Sequence, residues 1–210
     1  MEKEAYAYLT LGQDTMAEYA DRGSRFIAFA FPITDTQDFK NRLQLLKKEH
    51  PKAVHHCFAW RLGIDGTQFR VSDDGEPSGT AGRPILGQLD ARQLTDAAII
   101  VVRYFGGTLL GVPGLIQAYK SAAALALQVN TLVEKPILEP CQLEFDYTLM
   151  NEVMTVIKRY PCVIHRQEMQ LFCHMDLGIP RLHADNCLRQ LGHIFGVTIS
   201  PVGHEKERTK

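Results

Sequence analysis

No stretch of this sequence approaches the roughly 20 consecutive apolar residues that a membrane-spanning helix needs. The opening Met1-Glu2-Lys3-Glu4 is too polar for a secretory leader, so a cytoplasmic location is the expectation. Cysteine is scarce: Cys57, Cys141, Cys162, Cys173 and Cys187 are an odd number with no Cys-x-x-Cys spacing, which argues against both a disulfide framework and a zinc ribbon. An excess of either charge is also lacking. With 23 Lys+Arg against 24 Asp+Glu the formal net charge is -1, so no bulk positive field draws the chain onto nucleic acid or an anionic membrane, and a polyanion site must be a local patch. No Gly-Lys-Ser/Thr closes a phosphate-binding loop, and the spacing of the dinucleotide fingerprint is absent.

What is present is ordinary for a globular protein: 210 residues, 45% hydrophobic and 22% charged, enough for one large domain or two small ones. The clearest boundary is Glu134 to Pro140, where Pro136 and Pro140 follow a long helical pattern and exclude its continuation. The expected domains are therefore 1–135 and 140–205. In the second, Leu143, Phe145 and Tyr147 alternate with polar residues as in a half-buried strand, and Val153, Ile157 and Tyr160 then recur at helical spacing behind Asn151 as N-cap. Residues 162–165 and 169–177 read as two strands joined by a turn at Arg166-Gln167-Glu168, and Ala184, Leu188 and Leu191 as a second helix ending near Gly192 before a strand with Val197 and Ile199. The order is βαββαβ, the ferredoxin-like unit.

In the first domain Arg25 to Phe31 is an apolar strand, followed by a helix opened by the capping-box spacing Thr34 to Gln37 and striped by Phe39, Leu43 and Leu46. Val54 to Leu62 and Gln68 to Val71 read as a hairpin around Asp65-Gly66, and Ala97 to Val102 as a short buried strand. Leu115, Tyr119, Ala122, Ala126 and Val129 mark a helix with enough small residues to pack closely on a sheet. The expected fold is α+β, with the helices of this domain on one sheet face.

Two glycine-rich loops, 72–84 and 103–114, each lead toward a helix. Unpaired amides at a helix N-terminus can cradle an anion, which makes Gly79, Gly82, Gly106 and Gly107 with Arg83, Arg103 and Lys120 the candidate nucleic-acid or anion site. The alternative is that the glycines permit tight turns and close packing. Asp73, Asp74 and Glu76 would repel a phosphate; they face away, hold a bridging divalent cation, meet a basic partner, or simply form the turn. His55 and His56 point to opposite faces of a strand, His56 with Phe58 and Trp60 and His55 with Cys57 and Ala59. The candidate polar site is His56, Asp73, Asp74, Glu76 and Ser78, with Ser78 lacking a local histidine to activate it. Cys162, His165, Cys173, His174, His183, Cys187 and His193 invite a metal reading, which the opposite facing of Cys173 and His174 weakens; no metal or cofactor is expected.

Asp-Asp-Gly-Glu-Pro-Ser-Gly-Thr-Ala-Gly at 73–82 and Arg-Tyr-Phe-Gly-Gly-x-x-Leu-Gly at 103–111, with Gly114-Leu115 and Tyr119-Lys120 beyond, resemble the hallmark segments of the YigZ/IMPACT family. Residues 140–203 are similar to the second domain of its bacterial members. The resemblance implies a first domain with the fold of the fourth domain of elongation factor G and a second similar to that factor's fifth, both of which work on the ribosome. It also implies kinship with eukaryotic IMPACT proteins, which restrain a translation-controlling kinase. That pathway is not carried over, because the chain is read as lacking the module that binds the kinase's activator. The expectation is a translation-linked ribosome- or RNA-binding factor. An enzyme on a small phosphorylated or carboxylated substrate and a protein-interaction module remain as alternatives.

Overall fold

A computed structural model describes residues 5–201, which divide into two compact units. The first runs from Tyr8 to Lys135, and the second comprises, among the described residues, Pro136 to Pro201 with Ala5 to Ala7. The first contains strands β1 (Ala7–Leu11), β2 (Thr15–Asp21) and β3 (Ser24–Pro32), helix α1 (Thr36–Glu49) and strands β4 (His55–Leu62) and β5 (Gln68–Ser72). Helix α2 (Gly82–Asp90), strand β6 (Ala97–Tyr104), helix α3 (Gly111–Gln128) and strand β7 (Leu132–Pro136) complete it. Its main sheet has the order β2-β3-β6-β4-β5, every neighbouring pair antiparallel, while β1 pairs with β7.

Helices cover both faces of this sheet, which corrects the one-face expectation. On one face Phe26, Ala28, Cys57, Ala59, Ile99 and Val101 meet Ile85 and Leu89 of α2 and Leu115, Tyr119, Ala122 and Ala126 of α3. On the other, Phe31, Phe58, Trp60, Ile100 and Val102 meet Phe39 and Leu46 of α1. The unbroken apolar run Ala97 to Val102 already carried this information, since a strand with no polar alternation is buried on both sides. The cap of α1 also moves: Asp35, not Thr34, accepts from the amides of Gln37 and Asp38 at 2.7 and 2.8 Å. A carboxylate at that position neutralises two orphan donors at the positive end of the helix.

The second unit comprises β8 (Leu138–Asp146), α4 (Met150–Arg159), β9 (Val163–Met169), β10 (Phe172–Pro180), α5 (Ala184–Gly192) and β11 (Thr198–Pro201). Its sheet order is β11-β8-β10-β9, all antiparallel, the βαββαβ arrangement. Cys141, Leu143, Phe145, Cys173, Met175 and Leu177 face Val153, Ile157, Cys187 and Leu191 of the two helices. Three local readings change. Tyr147 is exposed in a short 3-10 turn, and that turn is capped by the Asp146 carboxylate, so Asn151 is no N-cap. The Arg166-Gln167-Glu168 segment lies within β9 and pairs with His174, Met175 and Asp176; polar residues on an edge strand resemble a turn in sequence because both face water. No helix among the described residues is long and apolar enough to cross a membrane.

Candidate functional site

Strand β5 ends at Ser72, and the chain from there to α2 folds around its own carboxylates. Asp73 accepts hydrogen bonds from the amides of Gly79, Ala81 and Gly82 at 2.8, 3.0 and 2.8 Å. Burial alone would raise its pKa, but the three amides together outweigh that and hold it below the ordinary carboxylate range. The niche at the start of α2 that would take an external anion is thus filled from within. This answers the charge conflict of the loop: Asp73 is the anion, and the amides of Gly79 and Gly82 are not free for another.

Asp74, at φ +42°, and Gly75, at +91°, reverse the chain. The Asp74 carboxylate accepts from the His56 amide at 2.7 Å and lies 3.7 Å from Lys47 Nζ. His56 is buried on the α1 side of the sheet, 4.0 Å from Asp74, and burial is the leading cause holding its pKa below the ordinary histidine value. It does not meet Glu76. The imidazole that does is His55, whose Nδ1–H donates to the Asp74 carbonyl at 2.7 Å while Nε2 stands 3.9 Å from Glu76 Oε1.

Glu76 is the centre of the arrangement. Its side chain is 3% exposed, and its Oε1 accepts from Arg103 Nη1 at 2.5 Å and from the Tyr119 hydroxyl at 2.7 Å. The Arg103 guanidinium sits between the rings of Phe26 and Phe105, 5.4 and 5.7 Å from their centroids, and is 7% exposed. Cys57 Sγ donates to the Asp73 carbonyl at 3.0 Å and lies 3.3 Å from the Tyr119 hydroxyl. Burial pushes both the Cys57 thiol and the Tyr119 phenol far above their usual ranges, so neither supplies a nucleophile at neutral pH. The group can lock loop 73–81 to β6 and α3. It offers no activated base–nucleophile pair.

The second loop is shaped by close backbone approach. A Cβ on Gly106 would fall 1.9 Å from the Gly23 carbonyl carbon and 2.2 Å from Ser24 N, and the Gly106 amide donates to Ser24 Oγ at 3.1 Å. Gly107 takes φ +86°. Gly106 therefore serves packing against the β2–β3 turn, and Gly107 the turn itself.

Of the sequence candidates, the fold brings together Asp73, Glu76, Arg103, Gly79 and Gly82, but as an internal lock. Arg103 is spent on Glu76 and does not reach outward. Arg83 and Lys120 are exposed, each one residue beyond a group tied to the loop, Gly82 and Tyr119. Ser78 is also exposed. His55, Cys57 and Tyr119 were not among the candidates; the β4 alternation placed His55 beside Cys57, but only the antiparallel register that sets His55 opposite Arg103 shows what they face. Among the described residues no group of three or more His, Cys, Asp or Glu is placed to hold a metal ion.

On the solvent side, Phe105, Leu109, Val112 and Ile116 are 47, 82, 51 and 39% exposed. Val112, Ile116 and Lys120 follow one another at four-residue intervals along α3, the spacing that aligns side chains on one helix face. An apolar stripe edged by a cation leads away from the second loop.

Fold and site together define a two-unit α+β protein with glycine-rich loops sealed by internal carboxylates and an exposed apolar and basic rim. The Impact N-terminal domain matches residues 22–127. An IMPACT family member of Haemophilus influenzae is 36% identical over 177 residues, covering 82% of this chain and 84% of that protein. The IMPACT family member YigZ of Escherichia coli is 35% identical over 159 residues, 75% of this chain and 78% of that one. The chain belongs to the IMPACT family. A crystal structure of a hypothetical protein superposes with a TM-score of 0.78 at 28% identity, covering 96% of this chain and all of the other.

Proposed function

We propose that this protein is a translation-linked factor that docks on the ribosome through the solvent side of its two glycine-rich loops. The observation that carries the reading is the contrast across those loops. Behind them Glu76 and Arg103 are paired and buried and the half-buried Asp73 is spent on backbone amides, whereas in front stand Phe105, Leu109, Val112 and Ile116 with Lys120, and Arg83 on the neighbouring helix. Solvent-exposed apolar side chains grouped in this way mark contact surfaces. A half-exposed phenylalanine in one loop, with exposed Lys120 and Arg83 on the helices that the loops lead into, suits ribosomal RNA, in which a base stacks and phosphates meet Lys and Arg. The ribosome is the partner favoured by the likeness to the fourth and fifth domains of elongation factor G that the family resemblance implies, and regulation of translation is the role favoured by kinship with eukaryotic IMPACT proteins. With net charge -1, long-range attraction does not help, so binding relies on this rim.

Co-sedimentation with purified ribosomes tests the reading. Two phosphate contacts weaken binding about ten-fold between 50 and 200 mM salt. Arg83→Glu with Lys120→Glu, both exposed, abolishes the pelleted fraction without changing stability. Absence of pelleting at low salt, or pelleting unchanged by the double substitution, overturns it.

A further inference from the structure

The second unit holds a thiol pair that the docking role does not use. Cys162 lies between the end of α4 and the start of β9, Cys187 lies inside α5, and their sulfurs are 3.6 Å apart although the residues are 25 apart in sequence. Cys187 is fully buried and Cys162 is half-buried at the margin of the same core, which makes Cys162 the more accessible of the two. The Cys162 amide is fixed on the Ile157 carbonyl at 3.1 Å, which anchors its backbone while leaving the side chain to rotate.

We propose that Cys162 and Cys187 form a reversible oxidation site, in which a hydroperoxide oxidises Cys162 and Cys187 resolves it to an intramolecular disulfide. The Cys162 sulfur attacks the distal oxygen of the peroxide, the O–O bond breaks, and the sulfenic acid forms with release of water or an alcohol. The Cys187 sulfur then attacks the Cys162 sulfur, the S–S bond forms, and the hydroxyl leaves with the Cys187 proton as water. Two thiols lose two electrons, and the peroxide gains them.

The arrangement assigns the roles. Cys162, the half-buried thiol, is the one a hydroperoxide reaches first and so the attacking sulfur, and the buried Cys187 is the resolving one; the hydrogen bond between them acts in the same sense, lowering the Cys162 thiol and raising that of Cys187. Cys141, the third thiol in this core, is raised to about 11, chiefly by burial, and stays out of the reaction. Closing the gap to a bond of about 2.0 Å requires the sulfurs to approach by about 1.6 Å, within reach of side-chain rotation. The bond would staple the edge of the second unit's sheet to α5.

The full chain, exposed to a small excess of hydrogen peroxide and then digested without reductant, provides the test. The proposal expects a peptide linking Cys162 to Cys187, a mass loss of about 2 Da, and recovery of both thiols with a dithiol reductant. Titratable thiols in denaturant fall from five to three. In Cys187→Ser the reaction stops at a Cys162 sulfenic acid trapped by dimedone. The wild-type peptide map decides alone if that variant fails to fold. A linkage through Cys141, a dimer-forming linkage, or oxidation of Cys162 no faster than that of Cys141 overturns the proposal.

Discussion

Replacing Glu76 with leucine removes a carboxylate from a site where its side chain is 3% exposed and leaves Arg103, 7% exposed, without its counter-charge. Breaking a buried ion pair from one side costs about 3–5 kcal/mol, because the remaining charge stays desolvated. Tyr119 loses the acceptor of its hydroxyl in the same step. Arg103→Met should cost a similar amount by stranding Glu76 with Tyr119 as its remaining donor. The double variant Glu76→Leu/Arg103→Met removes both charges and restores most of the loss, since replacing a buried pair by apolar groups of similar volume is often neutral. The single losses sum to about 6–10 kcal/mol, so a double variant that restores most of one of them sets the coupling energy in the cycle at about 4 kcal/mol or more. Urea unfolding followed by Trp60 fluorescence reads this directly: Trp60 is the single tryptophan and lies in the core of the first unit, so the signal reports that unit alone. With a slope of about 2 kcal/mol per molar urea, each single variant shifts the midpoint down by about 2 M. Single losses below about 0.5 kcal/mol, or a coupling near zero, would refute the claim that the pair is a buried lock.

Gly106→Ala should cost more than about 3 kcal/mol, because the new methyl falls on the Gly23 backbone, whereas Gly79→Ala meets nothing and carries only the strain of φ +77°, about 1 kcal/mol; equal losses in urea would contradict the packing account. Asp73→Asn should destabilise by about 1–2 kcal/mol by weakening the internal cap of α2. Because the folded pKa of Asp73 lies below its ordinary value of 3.8, its contribution is present above that pH and is lost as the pH falls through the folded value; the gap between wild type and Asp73→Asn should therefore close in the acid limb. His56 has the opposite chemistry and the same direction: its folded pKa is below 6.5, so the unfolded chain binds the proton first and stability falls as the pH drops from 6.5. His56→Phe should flatten that slope, and an unchanged slope would place the histidine elsewhere.

The strands and helices with one clean period were legible in the sequence. Phe39, Leu43 and Leu46 marked α1, Leu115 to Ala126 marked α3, and the alternation through Cys173, Met175 and Leu177 marked β10. What escaped depended on pairing partners. β2 alternates only weakly, and β9 presents polar residues to water along an edge, where strand and turn read alike. The candidate site was legible as a set of segments but not as an arrangement. The two loops were the right place to look, yet nothing in the order Asp73 to Gly82 says that the first acid folds back onto the last amides. Arg103 looked like an available cation because its partner, Glu76, lies 27 residues away and meets it only once β4 sits between β5 and β6.

The claim on which the account rests is that the outward rim of the loops, and not the sealed group behind it, makes the functional contact. A photo-crosslinking residue placed at Leu109, 82% exposed in the second loop, and separately at Leu45, 56% exposed on α1 across the sheet, tests it in one experiment with purified ribosomes. Adducts to ribosomal components are expected from position 109 and none from position 45. Equal labelling from both positions, or labelling from 45 alone, would contradict it.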